Sequence, residues 1–146
     1  MKNLFEKGLS YRSFIMNQPR DIRIKFTQNY ITMNLGNEYR NLINSRTDRI
    51  KILGIVEGNC IDSQIYLPVL ERLISTNNNI ELRLVTADYL KEEHSEYRKL
   101  KLPIFIFMDA EYNIKGQFVE KPKASSSGEP VQAAAEEMVN YIIAIV

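Results

Sequence analysis

An α/β fold is predicted for this chain: a mixed sheet built in the order β-α-β-α-β-β-α, behind a helical N-terminal third. Three observations predict it. Apolar residues recur at helical spacing from Leu4 to Ile43, with Pro19 and Gly36 as punctuation. Two short apolar runs, Ile50–Val56 and Ile80–Thr86, flank a helix-length segment, and strand-helix-strand implies a parallel pair with a right-handed crossover. Two further runs, Ile104–Met108 and Ile114–Val119, are joined by so short a link that only an antiparallel hairpin is possible.

Taken in order, residues 3 to 47 read as a helical hairpin or triplet. Leu4, Phe5 and Leu9 begin it, and Ser10 is a candidate N-cap ahead of Tyr11, Phe14 and Ile15. Ile22, Phe26, Tyr30 and Met33 share one face of a second helix, and Tyr39, Leu42 and Ile43 mark a third. Ile50–Val56 is the first strand and stops at Glu57-Gly58-Asn59. From Cys60 the period is helical again, with Ile61, Ile65, Leu70, Leu73 and Ile74 facing inward and Pro68 predicting a kink. Asn77-Asn78-Asn79 turns the chain into the second strand. Asp88 is placed to cap a polar helix over Tyr89 to Arg98. Leu102-Pro103 opens the third strand, and Asp109-Ala110-Glu111-Tyr112-Asn113 reads as the hairpin turn. Lys121 to Pro130, rich in Ser, Pro, Lys and Gly, reads as a loop. The last helix places Val131, Ala134, Ala135, Met138, Tyr141, Ile142 and Ile145 on the face that covers the sheet.

The bulk properties fit a single domain, residues 1–146, with a helical extension over 1–49 and a core over 50–146. Hydrophobic residues make up 45% and charged residues 25%, with a formal net charge of +1, an ordinary globular balance. Basic residues form no run, which points away from nucleic acid as a partner. No stretch approaches the roughly 18 uninterrupted apolar residues of a membrane span. Lys2, Glu6, Lys7, Arg12 and Arg20 interrupt the first twenty residues, so a cytoplasmic location is expected. His94 stands beside Glu92, Glu93 and Glu96 as a solvated residue, at spacings that do not converge on a metal; no metal or cofactor is expected.

The chain has one cysteine, so no internal disulfide can form. It lies at the first strand-to-helix junction, in Glu57-Gly58-Asn59-Cys60-Ile61-Asp62-Ser63, with Pro68 eight residues on and Leu102-Pro103 opening a later strand. That ordered set resembles the thioredoxin fold. It is similar to a group of bacterial thioredoxin-like proteins with a helical N-terminus and a Trp-Cys-Gly-Asp-Ser/Ala motif, for which this sequence has Asn59-Cys60-Ile61-Asp62-Ser63. The resemblance spans nearly the whole chain. It implies a cis peptide bond at Pro103 facing the active cysteine, and a Leu102 backbone exposed to pair with an extended substrate segment, as in strand addition.

Departures from the pattern are equally specific. The second cysteine of thioredoxins is Ser63 here, the preceding Trp is Asn59, and the buried acid six residues before the cysteine is Gly54. Each removes a part of dithiol chemistry, so ordinary disulfide reduction is not expected.

A helix N-terminus favours a thiolate through its unpaired N–H groups and partial positive charge. Asp62 and Glu57 oppose this as neighbouring acids, and Ser63, one turn on, is placed to donate a hydrogen bond to the sulfur. Asp62 also suits the first turn of a helix as an acid. A buried small apolar side chain is the common fate of a free cysteine, but the fold resemblance favours a nucleophile. The implied activity is monothiol exchange with a protein or a low-molecular-weight thiol or disulfide, using Cys60 with Ser63 and Asp62, and with Asn59, Leu102 and Pro103 on the substrate side. The alternative is a non-catalytic binding module that takes an extended peptide near Pro103. Cys60-Ile61-Asp62-Ser63 is also similar to the Cys-x-x-Ser of monothiol glutaredoxins, which carry glutathione and an iron–sulfur cluster, although Ile61 and Asp62 replace the Gly-Phe of that motif.

Overall fold

A computed structural model describes residues 1–34, 36–90, 92–119 and 130–145, with only the backbone of Glu92 and Glu93. The loop read over Lys121 to Pro130 lies, up to residue 129, outside the described residues. Four helices, α1 (Lys2–Glu6), α2 (Tyr11–Met16), α3 (Arg20–Thr32) and α4 (Asn37–Asn44), precede strand β1 (Ile50–Ile55). Helix α5 (Ile61–Ile74), β2 (Ile80–Val85), β3 (Ile104–Met108), β4 (Ile114–Val119) and α6 (Pro130–Ile145) follow. The sheet order is β2-β1-β3-β4. β1 runs parallel to β2 and antiparallel to β3, and β3 pairs antiparallel with β4. The α/β class read from the sequence is the one observed, and its strands and the helices α5 and α6 come in the order expected.

The period-two alternation of the strands sends their side chains to two cores. Ile50, Ile52, Leu82, Leu84, Phe105, Phe107 and Phe118 join helices α2 to α6 on one face. Leu53, Ile55, Ile104, Ile106 and Met108 join Leu4, Phe5, Leu90 and Tyr97 on the other. The sheet is therefore covered on both sides, which is why β1 and β3 read as nearly continuous apolar runs.

Two local readings are corrected. The N-terminal third holds four helices rather than two or three, and Leu9 is not helical: it exchanges two backbone hydrogen bonds of 2.8 Å with Leu84. A strand edge otherwise left with unpaired N–H and C=O groups is thereby closed locally, which outweighs one more turn of helix. Ser10 then caps α2 as expected, its Oγ accepting from the Ser13 N–H at 3.2 Å. The polar helix expected behind Asp88 is instead two 3-10 segments, Ala87–Tyr89 and Glu92–Lys99, the second broken at His94. Asp88 sits inside the first and does not cap it; the Glu57 carboxylate accepts from the Ala87 N–H at 3.2 Å. Leu90 and Tyr97 are the buried apolar anchors there, too few for an amphipathic α-helix, and His94 is half-buried at the break rather than fully solvated.

Among the described residues no helix is long and apolar enough to cross a membrane.

Candidate functional site

β1 delivers the chain to a short turn, and Cys60 is the N-cap residue of α5, with extended backbone (φ −83°, ψ 121°). Its N–H donates to the Glu57 carbonyl at 3.1 Å and its carbonyl accepts from Gln64 at 3.0 Å, so both sides of the residue are fixed. The thiol does not cap the helix. It points instead toward the link ahead of β3, where Sγ lies 3.8 Å from the Leu102 carbonyl as a weak S–H donor. The Leu102–Pro103 peptide bond is cis, as the resemblance implies. Cys60 is half-buried, Pro103 is buried, and Leu102 is half-buried.

The other sequence-predicted residues divide in two. Asp62, in the first turn of α5, forms a 3.5 Å ion pair with Lys101, so a charge on the helix meets a charge on the segment leading into Leu102. Ser63 is fully buried, and its hydroxyl accepts from the Glu57 N–H at 3.3 Å. It thus ties the turn by meeting the acceptor need of the Glu57 backbone N–H, a bond that uses an oxygen lone pair and not the hydroxyl proton. Asn59 is exposed at the turn. Gly54 has no room for an acid: a Cβ there would lie 2.7 Å from Leu84 Cδ2 and 3.1 Å from the Phe105 ring. The volume that would take a carboxylate is filled by apolar side chains.

Two residues escape the sequence reading. Lys101 carries a charge next to the Leu-Pro pair, and that adjacency is its only local signal. Gln64 is 6% exposed on an otherwise apolar helix face, and its Nε2 donates to the Gly58 carbonyl at 2.7 Å. A buried amide four residues beyond Cys60, at helical spacing, is the sign that would have found it. Beside the turn, Ile61 is 72% exposed, and with Lys25, Ile65 and Val131 it borders a cavity of about 220 Å³. Among the described residues no group of three or more His, Cys, Asp or Glu side chains could hold a metal ion.

A family model described as thioredoxin matches residues 8–133. None of the curated proteins compared with the chain matches it. In structure the chain is similar to a protein of unknown function from Pseudomonas aeruginosa, with a TM-score of 0.81 and 22% identity, covering 99% of this chain and 95% of that one. It is similar to an HIV epitope-scaffold with a TM-score of 0.83 and 22% identity, over the same shares of the two chains. A weaker likeness, with a TM-score of 0.54 and 18% identity, is to the alkylhydroperoxide reductase protein AhpF of Enterococcus faecalis, over 74% of this chain and 49% of that one. At these identities the likeness is one of fold.

Proposed function

The chain belongs to the thioredoxin family, and from that premise we propose that it carries out monothiol exchange through Cys60 in a reducing cytosol. The observation that carries the reading is the meeting of the Cys60 sulfur, at the start of α5, with the Leu102 carbonyl 3.8 Å away. A substrate segment entering there in extended form would pair with the backbone of Leu102 and bring its disulfide to the sulfur.

The exchange has two balanced steps. The Cys60 thiolate attacks one sulfur of a disulfide R–S–S–R′, forming Cys60–S–S–R and expelling R′–S⁻, which takes up a proton. An external thiolate then attacks the mixed disulfide and releases Cys60, because the chain has no second cysteine to resolve it. Asp62 and Lys101 face each other across the two segments and offer a charge of either sign to a polar substrate. Its substrates are proteins or small molecules carrying a disulfide.

Mass analysis of the native protein after exposure to hydroxyethyl disulfide tests this. A single adduct on the wild type, absent from Cys60→Ser, is expected; labelling of the unfolded chain but not the native one overturns the reading.

A second reading, a binding module without catalysis, is favoured by Gly54 and Ser63. The space for the acid is filled by Leu84 and Phe105, and the serine that stands where a resolving cysteine would be is buried and accepts from the Glu57 N–H. It requires that Cys60→Ser capture an extended peptide partner as well as the wild type does; loss of capture in that variant argues against it.

A further inference from the structure

Pro68 lies inside α5 and has no N–H, so the carbonyl four residues earlier, that of Gln64, loses its helical donor. A carbonyl on a buried residue left without a partner is costly. The missing bond is replaced from outside the helix: Asn29 Nδ2, on α3, donates to the Gln64 carbonyl at 2.8 Å. The same Gln64 reaches back with its side chain to the Gly58 carbonyl at 2.7 Å, two residues before Cys60. Gly58 is itself buried, and a Cβ there would collide with the side chain of Gln18, in the link between α2 and α3. Further along α5, Arg72 donates to the Tyr30 and Ile31 carbonyls, so α3 is clamped to α5 at two levels.

Building on the monothiol reading above, we propose that α3 is a working part of the Cys60 site: Asn29 supplies the hydrogen bond that Pro68 withholds, and so fixes Gln64 as the positioning residue of the turn that aims the thiol at Leu102. An ordinary residue at position 68 would satisfy the Gln64 carbonyl within the helix and make α3 dispensable to the turn. With proline there, the placement of α3 and the placement of Cys60 are one geometry. Gln64 touches no reacting atom; it acts through Gly58 on the residue two positions on.

The test is a rate cycle on the full chain, reading adduct formation at native Cys60 by hydroxyethyl disulfide, with the thermal midpoint measured alongside. Asn29→Ala is expected to slow the reaction about tenfold by loosening the turn that aims the thiol, and to lower the thermal midpoint because the Gln64 carbonyl is left unpaired. In the Pro68→Ala background the same change should cost less than about twofold, because the new N–H of residue 68 takes the Gln64 carbonyl. Gln64→Met keeps the length but removes the donor to Gly58; it should slow the reaction like Asn29→Ala and not be rescued by Pro68→Ala. A wild type that reacts, with Asn29→Ala and Gln64→Met reacting as fast, overturns the positioning role and leaves the monothiol reading standing. Equal losses with and without Pro68 also overturn it, since a merely structural contact would be additive. A native wild type that does not react removes both.

Discussion

Two turns close opposite ends of the sheet, and they are held in opposite ways. At the far end from Cys60, the β3–β4 turn is organised by one residue. Asp109 Oδ1 accepts from the Glu111 and Asn113 N–H groups, both at 2.9 Å, and Oδ2 accepts from Asn113 Nδ2 at 3.1 Å and pairs with Lys115 at 3.7 Å. Backbone bonds between Asp109 and Asn113 and from Tyr112 to Asp109 finish it, with Tyr112 in the left-handed region at φ 66°. At the near end, the turn carrying Cys60 has one internal backbone bond, Cys60 to Glu57. Its other ties come from Ser63, from Gln64 and, through the Glu57 carboxylate, from Ala87 thirty residues away. The hydrogen bonds of Asp109 are thus met within its own stretch of sequence, and Tyr112 adds one tie outward, its hydroxyl accepting from Lys51 Nζ at 3.4 Å. The turn that places the thiol is satisfied by the rest of the fold, so its geometry is only as good as the packing around it.

The heaviest blow to that contrast falls on the near end. Gly54→Asp would restore the acid that dithiol relatives carry, but here it drives a carboxylate into Leu84 and Phe105. Overpacking and an unpaired buried charge together should cost about 3–5 kcal/mol in a denaturant titration. A loss below about 1 kcal/mol would mean that the two side chains give way and that the space is not committed. Ser63→Ala is the milder version. It removes the acceptor of the Glu57 N–H without changing volume much, and should cost about 1–2 kcal/mol. Adduct formation at Cys60 should slow in parallel, and an unchanged rate and stability would show that the turn does not depend on that tie.

The same contrast explains what the sequence discloses. Asp109-Ala110-Glu111-Tyr112-Asn113 announces a turn because every partner of Asp109 lies within six residues. The strands are equally legible, since β-branched and aromatic runs such as Ile104–Met108 carry their own period. The placement of Cys60 at a strand-to-helix junction, and the cis bond at Pro103, follow from the order of elements and the family resemblance. What stays hidden is tertiary. Nothing near Leu9 indicates that it pairs with Leu84, nothing near Asn29 that it serves a carbonyl 35 residues on, and nothing near Asp62 that Lys101 answers it. Ser63 is instructive: its spacing from Cys60 suggests a bond to sulfur, whereas the hydrogen bond observed is the one its hydroxyl accepts from a backbone N–H six residues back. Local spacing shows which groups can meet, while the accounting of backbone donors decides which do.

The smallest effect, and the one that isolates the far end, is electrostatic. The Asp109 carboxyl is held below the usual carboxylate range, chiefly by the hydrogen bond from the Asn113 backbone, with the Asn113 side chain, the Glu111 N–H and Lys115 adding to it. A carboxyl whose folded value lies below its unfolded value of about 3.9 stabilises the fold fully above that pH. The contribution is lost as pH falls through the lower folded value, where the carboxylate takes a proton. Asp109→Asn keeps an acceptor for the two N–H groups but removes the charge, so it should melt slightly below the wild type at neutral pH and converge with it in acid. The margin should also narrow in salt, since Lys115 is 58% exposed and its pairing is screened. Because all of the partners are local, Asp109→Asn should leave the rate at Cys60 unchanged. A shift in that rate would show that the two ends of the sheet are coupled and that the effect of Asp109 reaches beyond its local partners.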